Sequence, residues 1–154
     1  MGQPAAAVGA RLRSLWVLGH RVTPIRTDAH ASLLEVATPA GVPGPPLHYH
    51  EDCTEFFYVV DGRFGVRIAD RWTSLVPGGY IEIPRGSVHT FRNEGEQEAR
   101  LITGFDPPGF EKFFHEFGYD AAEPGAYDRS LGDEAVRRVA EGSARFHMIL
   151  VSGP

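Results

Sequence analysis

The most informative part of the sequence is residues 44–62, which read GPPLHYHEDCTEFFYVVDG. Residues i and i+2 of a β-strand point to the same face, so His48 and His50 both face the interior if either one does. Glu55 follows beyond a short acidic bend and could supply a carboxylate oxygen from the next strand. This spacing indicates a metal site built from imidazoles and a carboxylate on neighbouring strands.

A second informative part is residues 78–93, which read GGYIEIPRGSVHTFRN. Pro84 and Gly86 predict a turn between two strands, and His89 opens the strand that follows. An inward His89 would complete a set of three imidazoles and one carboxylate, which would be costly inside an apolar barrel without a cation to pair it. We therefore predict one divalent metal ion with the ligands His48, His50, Glu55 and His89.

Both parts resemble the two sequence motifs of the cupin superfamily. Residues 78–93 match the second motif at every position and spacing, including Asn93, the only asparagine of the chain. Residues 44–62 match the histidines, the glutamate and the closing glycine of the first motif in spacing, but its leading glycine is displaced, since Val42 stands in that place. The resemblance implies an all-β fold, the cupin double-stranded β-helix or jelly-roll barrel, with the same four metal ligands.

The rest of residues 15–105 also favours an all-β barrel. Eight short segments are rich in aromatic and β-branched residues and are separated by turn residues. Phe64, Val66 and Ile68 alternate with glycine and arginine, and this period of two predicts a half-buried antiparallel strand. No helical segment lies between the predicted strands. The chain is thus divided into a flexible N-terminal tail (1–14), a cupin β-barrel (15–105) and a C-terminal segment (106–154).

The C-terminal segment predicts two short helices and a terminal strand, packed on the barrel or on a dimer partner. Phenylalanines at helical spacing within residues 110–117 predict an amphipathic helix that buries one face against the outside of the barrel or a second subunit, rather than forming a substrate lid. Residues 130–133 predict a capping box that begins a second helix, which ends at Gly142. Residues 146–151, FHMILV, predict an edge strand or a dimer contact.

The amino-acid composition excludes several classes of binding partner. The 154 residues include 15 basic and 20 acidic side chains, and the net charge of −5 argues against binding to nucleic acid or to an anionic membrane. No apolar run approaches the ~20 residues of a membrane span, and the first residues do not resemble a signal peptide. Cys53 is the only cysteine, which excludes an intrachain disulfide. We expect a cytoplasmic homodimer that binds a small-molecule substrate.

The donor set leaves one or two positions open on a bound metal, for which we favour Fe²⁺, while Mn²⁺, Ni²⁺, Co²⁺, Cu²⁺ and Zn²⁺ also suit it. A further resemblance, to small quercetin-dioxygenase-like and polyketide-pathway cupins, implies an oxygenase that acts on an enol, flavonol-like or polyketide molecule with O₂. It also implies that Glu55 is catalytic and takes a substrate proton. Two alternatives are an O₂-independent isomerase, cyclase or lyase that uses the metal as a Lewis acid, and a non-catalytic small-molecule-binding cupin.

Strand parity predicts the lining of the substrate pocket, which we assign to Phe57, Val59, Phe64, Val66 and Phe91. Cys53 lies between the ligands His50 and Glu55, but it has no basic neighbour in sequence to lower its pKa. We therefore expect it to be neither a ligand nor a nucleophile. The histidines outside the motifs are interpreted as surface or core residues: His20, His30, His115 and His147.

Overall fold

A computed structural model describes residues 2–9 and 12–152. Within these residues it has twelve strands, three α-helices and one 3₁₀-helix. The strands are β1 (Leu15–Val17), β2 (His20–Thr27), β3 (Ser32–Thr38), β4 (His48–His50), β5 (Thr54–Asp61), β6 (Phe64–Ile68), β7 (Arg71–Leu75), β8 (Tyr80–Ile83), β9 (His89–Asn93), β10 (Ala99–Asp106), β11 (Tyr119–Asp120) and β12 (Met148–Leu150). The helices are α1 (Lys112–Phe117), α2 (Ala126–Leu131), α3 (Asp133–Gly142) and the 3₁₀-helix Ser143–Phe146.

The strands form two antiparallel sheets that face each other. The larger sheet has the order β11-β1-β2-β3-β10-β5-β8, and the smaller has the order β12-β4-β9-β6-β7. From β3 to β10, every connection except that between β6 and β7 crosses from one sheet to the other. The two sheets enclose one hydrophobic core, to which Leu34, Phe57 and Leu101 contribute from the larger sheet and Phe64 and Val66 from the smaller. The predicted all-β jelly roll is confirmed.

Two strands of the core fold were not predicted, β2 and β7. Pro24 interrupts the pattern of β2, and the pairing of β2 with β3 shifts register between Pro24 and Arg26, as expected where a proline cannot donate to the ladder. β7 is an edge strand of the smaller sheet, and four of its five side chains are exposed, so it lacks an apolar alternation. Neither strand could be recognised from apolar periodicity.

The phenylalanine-rich helix is confirmed as α1, but it does not pack where we expected. The helix begins at Lys112, so Phe110 lies just before it. Phe113 and Phe117 are buried, and Phe113 and Phe114 line a cavity between the sheets together with Phe110. The helix therefore closes one side of the barrel interior instead of covering its outer face. Helical spacing defines the apolar face of a helix but carries no information about the surface on which that face packs.

The expected second helix is two helices, α2 and α3, and the predicted capping box is wrong. Ser130 lies inside α2, where its hydroxyl donates to the carbonyl of Tyr127 and accepts a hydrogen bond from the amide of Gly19. Helix α3 begins after Gly132, without a side-chain cap, and ends at Gly142 as predicted. The long-range bond to Gly19 occupies the hydroxyl that the capping box required.

The apolar run at residues 146–151 supplies an edge strand to the smaller sheet. β12 pairs with β4, and Met148 lies opposite His50 while Leu150 lies opposite His48. Of the two predicted roles for residues 146–151, an edge strand or a dimer contact, the structure shows the edge strand. This pairing places a distant part of the chain directly beside the strand that carries two predicted ligands.

The described part of the segment before the barrel is irregular. The described residues before Leu15 form neither helix nor strand, and the side chain of Arg13 pairs with Asp120 at 3.0 Å. The tail predicted over residues 1–14 includes Met1, Ala10 and Arg11, which lie outside the described residues, as do residues 153 and 154.

Within the described ranges, none of the helices combines the length and the apolar character needed to cross a membrane.

Candidate metal centre

Four predicted ligands meet between the two sheets. His48 and His50 come from β4 and His89 from β9 in the smaller sheet, while Glu55 comes from β5 in the larger sheet. All four residues are buried, and one potential ligand atom from each lies within 4.8 Å of the others. The residues could thus hold one metal ion, as the sequence predicts.

Local structure orients two of the imidazoles toward this point. Nδ1 of His48 lies 2.7 Å from the carbonyl oxygen of Pro46, and Nδ1 of His89 lies 2.8 Å from that of Ser87. Because a carbonyl oxygen only accepts hydrogen bonds, each Nδ1 must carry the proton. Nε2 of each ring is then left to face the cluster, and this arrangement is the usual one for histidines that bind a metal through Nε2.

The carboxylate of Glu55 lies at the centre of the cluster. Its Oε2 is 2.8 Å from Nε2 of His89 and 3.1 Å from Nε2 of His50. Its Oε1 accepts a weaker hydrogen bond from the hydroxyl of Thr103 at 3.3 Å. Since Nδ1 of His89 already donates to a carbonyl, the 2.8 Å contact requires a proton or a metal cation between Nε2 and the carboxylate.

Burial and mutual contacts shift the pKa values of the group. Burial opposes the charged form of Glu55, but hydrogen bonds from His50 and His89 outweigh it and hold the pKa of Glu55 well below its usual range. Burial also opposes charge on His89, but the hydrogen bond to Glu55 outweighs it and raises the pKa of His89. Burial and the neighbouring imidazoles lower the pKa of His48 to about 3. His48 is thus neutral, as a ligand must be.

The surroundings of His50 also bear on whether the four residues fit a metal ion. Nδ1 of His50 is buried and has no hydrogen-bond partner in the described residues, so no backbone carbonyl fixes this ring. The ring is held instead by the aromatic side chains of Phe105 and Phe110, at centroid distances of 5.6 and 4.4 Å. A buried carboxylate among three imidazoles is a mixed nitrogen and oxygen donor set that suits divalent transition metals.

The geometry agrees with comparisons to known proteins. The family model for the cupin domain matches residues 34–105, a range that includes all four members of the cluster. Residues 34–105 have the cupin fold. The solved structure of TT1209 from Thermus thermophilus resembles the chain with a TM-score of 0.53 and 25% identity, over 58% of this chain and 83% of that chain.

Two curated relatives extend the comparison. The chain is 32% identical over 107 residues to "Polyketide synthase CurC" from Streptomyces cyaneus, which covers 68% of this chain and 64% of the relative. It is 27% identical over 101 residues to "Quercetin 2,3-dioxygenase" from Bacillus subtilis (strain 168), which covers 64% of this chain and 29% of the relative. Both matches span less than two thirds of the relative's length.

Beside the four clustered side chains, the barrel contains a small cavity of about 70 Å³. Of the five predicted pocket residues, Phe57 and Phe91 line it. Val59, Phe64 and Val66 are buried in the hydrophobic core and do not line it. Parity gives the correct face of each strand, but the cavity lies at the Glu55 end of β5, and these three side chains pack deeper in the barrel.

Several lining residues were not predicted because they come from outside the two motifs. They share an origin in the N-terminal hairpin or in the C-terminal segment: Val17, Leu18, His20, Val22, Phe110, Phe113, Phe114 and Met148. The periodic phenylalanines were the one signal in the sequence for the C-terminal contribution. No sequence pattern indicated the N-terminal lining residues, because β2 was not recognised as a strand.

His20 is a buried histidine of this cavity that lies outside the metal cluster. Its Nε2 donates to the carbonyl of Pro43 at 3.2 Å, and its Nδ1 accepts from the hydroxyl of Thr38 at 2.9 Å, which is the pattern of a neutral imidazole. Burial lowers its pKa to about 4. Both ring nitrogens are satisfied, so the prediction that His20 is a core residue holds.

We expect His20 to make the metal-free protein sensitive to mild acid. Its folded pKa lies below the unfolded value of 6.5, so the unfolded state binds more protons as pH falls from 6.5 toward 4, and stability is lost over this window. Between pH 7 and pH 5 the loss from this group amounts to about 2 kcal/mol. Urea unfolding of chelator-treated protein at pH 7 and pH 5 measures it. His20→Gln should show a clearly smaller difference between the two pH values; an equal difference would assign the effect to other groups.

Cys53 lies next to the cluster in sequence but outside it in space. It is buried and is not among the residues that could hold the ion. Burial, followed by the negative charges of Glu55 and Asp52, raises the pKa of its thiol to about 12. The thiol is therefore protonated at neutral pH and is a poor ligand and nucleophile.

We expect Cys53→Ser to keep one metal ion per chain, because the thiol contributes no ligand atom. In the wild-type protein, the thiol should react with a disulfide reagent far more slowly in the native state than after unfolding in urea. Metal analysis and the colour released by the reagent measure the two properties. Loss of the metal in Cys53→Ser would show that the ligand set is wrong.

Proposed function

We propose that this protein is a mononuclear metal-dependent cupin enzyme that oxygenates an oxygen-rich small molecule, such as an enol, a flavonol-like compound or a polyketide intermediate. The observation that carries the proposal is the buried cluster of His48, His50, Glu55 and His89, opening on an apolar cavity. These residues would hold one divalent ion, for which we favour Fe²⁺. When bound, such an ion supplies Lewis acidity and open positions for substrate oxygens and O₂.

The chain's own residues would bind and orient the substrate. Aromatic and aliphatic side chains form most of the cavity wall, which excludes water and favours a flat, largely apolar molecule. No lysine or arginine is among the described residues that line the cavity, so a strongly anionic group has no partner there. The substrate part that reaches the cluster is thus a neutral enol or phenol that loses its proton on binding.

In this proposal, Glu55 would take that proton. Its carboxylate is held in the charged form by His50 and His89, and the hydroxyl of Thr103 fixes the orientation of Oε1. A carboxylate that gives up one contact in the cluster can accept a proton from a substrate hydroxyl. Glu55 would then serve both as a ligand and as a general base.

The relatives support an enzymatic role. One is named a quercetin 2,3-dioxygenase and another a polyketide synthase. The polyketide relative favours a second candidate, in which the metal acts as a Lewis acid in an isomerase, cyclase or lyase reaction without O₂.

Two measurements test the proposal. Metal analysis of protein purified without added metal should give one transition-metal ion per chain. Oxygen-electrode traces of the metal-loaded protein with flavonols, β-diketones and catechols should then show uptake with at least one of them. Conversion of a substrate without oxygen uptake would contradict the oxygenase proposal and support the Lewis-acid enzyme. Binding without conversion would leave a non-catalytic binding protein.

We also propose that the protein is a homodimer in the cytoplasm, although the two features that first suggested a dimer are used within one chain. β12 pairs with β4, and Phe113 and Phe114 of α1 line the cavity. The support now comes from the larger sheet, where the neighbouring side chains of Tyr58 and Tyr80 are 45% and 54% exposed. Sedimentation at micromolar concentration should give a dimer in the wild type and a monomer after Tyr58→Lys. A wild-type monomer would overturn the proposal.

A further inference from the structure

The cavity beside the metal cluster is too small for the ligand that the proposed function requires. Its volume is about 70 Å³, whereas an engineered protein cavity that holds benzene measures about 150 Å³. A molecule with even one aromatic ring must therefore find additional space when its oxygen atoms reach the cluster.

A larger pocket lies on the other side of one side chain. This outer pocket has a volume of about 300 Å³, and its polar lining residues are Asp52, Lys112, Arg145 and His147. Among the described residues that line the two spaces, Phe110 is the one that lines both. The ring of Phe110 is the partition between the metal cavity and a polar, exposed pocket.

Phe110 also contacts the cluster directly. Its ring centroid lies 4.4 Å from that of the ligand His50, and the ring stacks on Phe113 at 5.0 Å. Phe110 is 8% exposed, so its ring is packed between the two spaces and is not turned out into solvent. Removing or rotating this one ring would connect the outer pocket to a metal ligand.

The backbone beside Phe110 is anchored, which confines any movement to the side chain. The buried carboxylate of Glu111 accepts hydrogen bonds from the hydroxyl of Ser32 at 3.0 Å and from the amide of Gly109 at 2.9 Å. These bonds tie the residues on both sides of Phe110 to strand β3 and to the preceding loop. A change of rotamer is therefore the available way to open the partition.

A second route is less suited to an oxygen-rich ligand. Leu18 separates the cavity from a groove of about 210 Å³, whose lining is almost entirely apolar and includes Leu131, Val136 and Val139. Polar substrate groups would lose their hydration there without gaining hydrogen-bond partners. The outer pocket offers charged and polar side chains instead.

We propose that Phe110 determines which ligands reach the metal, and that the outer pocket holds the part of the substrate that the inner cavity cannot contain. This inference rests on the proposed metal site, but it does not depend on the reaction catalysed there. The partition admits small molecules such as water and O₂, and it admits a larger oxygen-rich ligand when the ring of Phe110 turns aside.

Capture of the metal by a chelator tests this access route without an activity assay. The protein is loaded with Zn²⁺ and mixed with 4-(2-pyridylazo)resorcinol, which changes colour when it binds Zn²⁺, and the capture rate is measured against chelator concentration. If Phe110 must open before the chelator reaches the ion, Phe110→Ala should raise the concentration-dependent rate at least about tenfold. Phe110→Leu, which keeps an apolar side chain in place, should raise it less.

Two matched controls separate the partition from a general loosening of the aromatic cluster. Phe114 lines the inner cavity but not the outer pocket, and Phe146 lines the outer pocket but not the inner cavity. Phe114→Ala and Phe146→Ala should therefore change the capture rate by less than about twofold. An unchanged rate in both Phe110 variants would overturn the inference, as would a faster rate in Leu18→Ala alone. A wild-type protein that binds no Zn²⁺ would overturn the metal site itself.

Discussion

Replacing His89 by alanine is expected to remove the metal from the protein. His89 supplies Nε2 to the cluster, and its ring is fixed by the bond from Nδ1 to the carbonyl of Ser87. Loss of a partner that merely orients a ligand weakens metal affinity about 10- to 100-fold, so loss of the ligand itself should weaken it by more than about 100-fold. Metal analysis after gel filtration should fall from one ion per chain to near zero.

The fold must be checked in the same experiment, because His89 is only 1% exposed and its removal leaves a cavity. His89→Gln fills more of that space, and it should lose the metal while melting at a higher temperature than His89→Ala. His20→Gln is the matched control, since His20 lines the same cavity but is not part of the cluster. It should keep one ion per chain. Full metal content in a folded His89→Ala protein would show that His89 is not a ligand.

Glu55→Gln is expected to reduce turnover far more than it reduces metal content. The amide keeps the shape of the side chain and a weak oxygen ligand, but it removes the negative charge and the site that accepts a proton. A positioned general base contributes about 10²- to 10⁴-fold to a rate, so turnover per bound metal should fall within this range. The measurement is oxygen uptake or product formation divided by the metal content of the same sample.

Glu35→Gln provides the control for the loss of one negative charge. Glu35 is a half-buried carboxylate of β3 that pairs with Arg100, and it does not line the cavity. Its turnover per metal should match that of the wild type. If turnover in Glu55→Gln instead falls in proportion to metal content, Glu55 is a ligand and takes no proton.

The cluster could be predicted because its members lie in two short stretches with regular spacing. Strand parity brings His48 and His50 to one face, and the turn at Pro84 and Gly86 returns the chain so that His89 pairs directly with His48. These relations are local or follow from one turn. They can therefore be predicted from the sequence without knowing what packs around the barrel.

The surroundings of the cluster could not be predicted, because they depend on long-range packing. The spacing of the phenylalanines in residues 110–117 indicates one apolar face, but it does not indicate that Phe110, which lies just before α1, contacts His50. Likewise, the hydroxyl of Ser130 fits a capping box locally, but it bonds to Gly19, more than one hundred residues away. Pro24 concealed a strand because a register shift accommodates it.

The pairing of β12 with β4 has a consequence for the order in which the site can be assembled. All four side chains of the cluster are present once residue 89 has been synthesised, but the strand that borders His48 and His50 on one side is made only at Met148–Leu150. A nascent chain that stops at residue 105 would contain the whole region matched as a cupin domain, yet its ligand-bearing strand would lie at an open sheet edge. A chain that ends at residue 105 should therefore expose the unpaired edge of β4, which carries His48 and His50, to pairing with other chains.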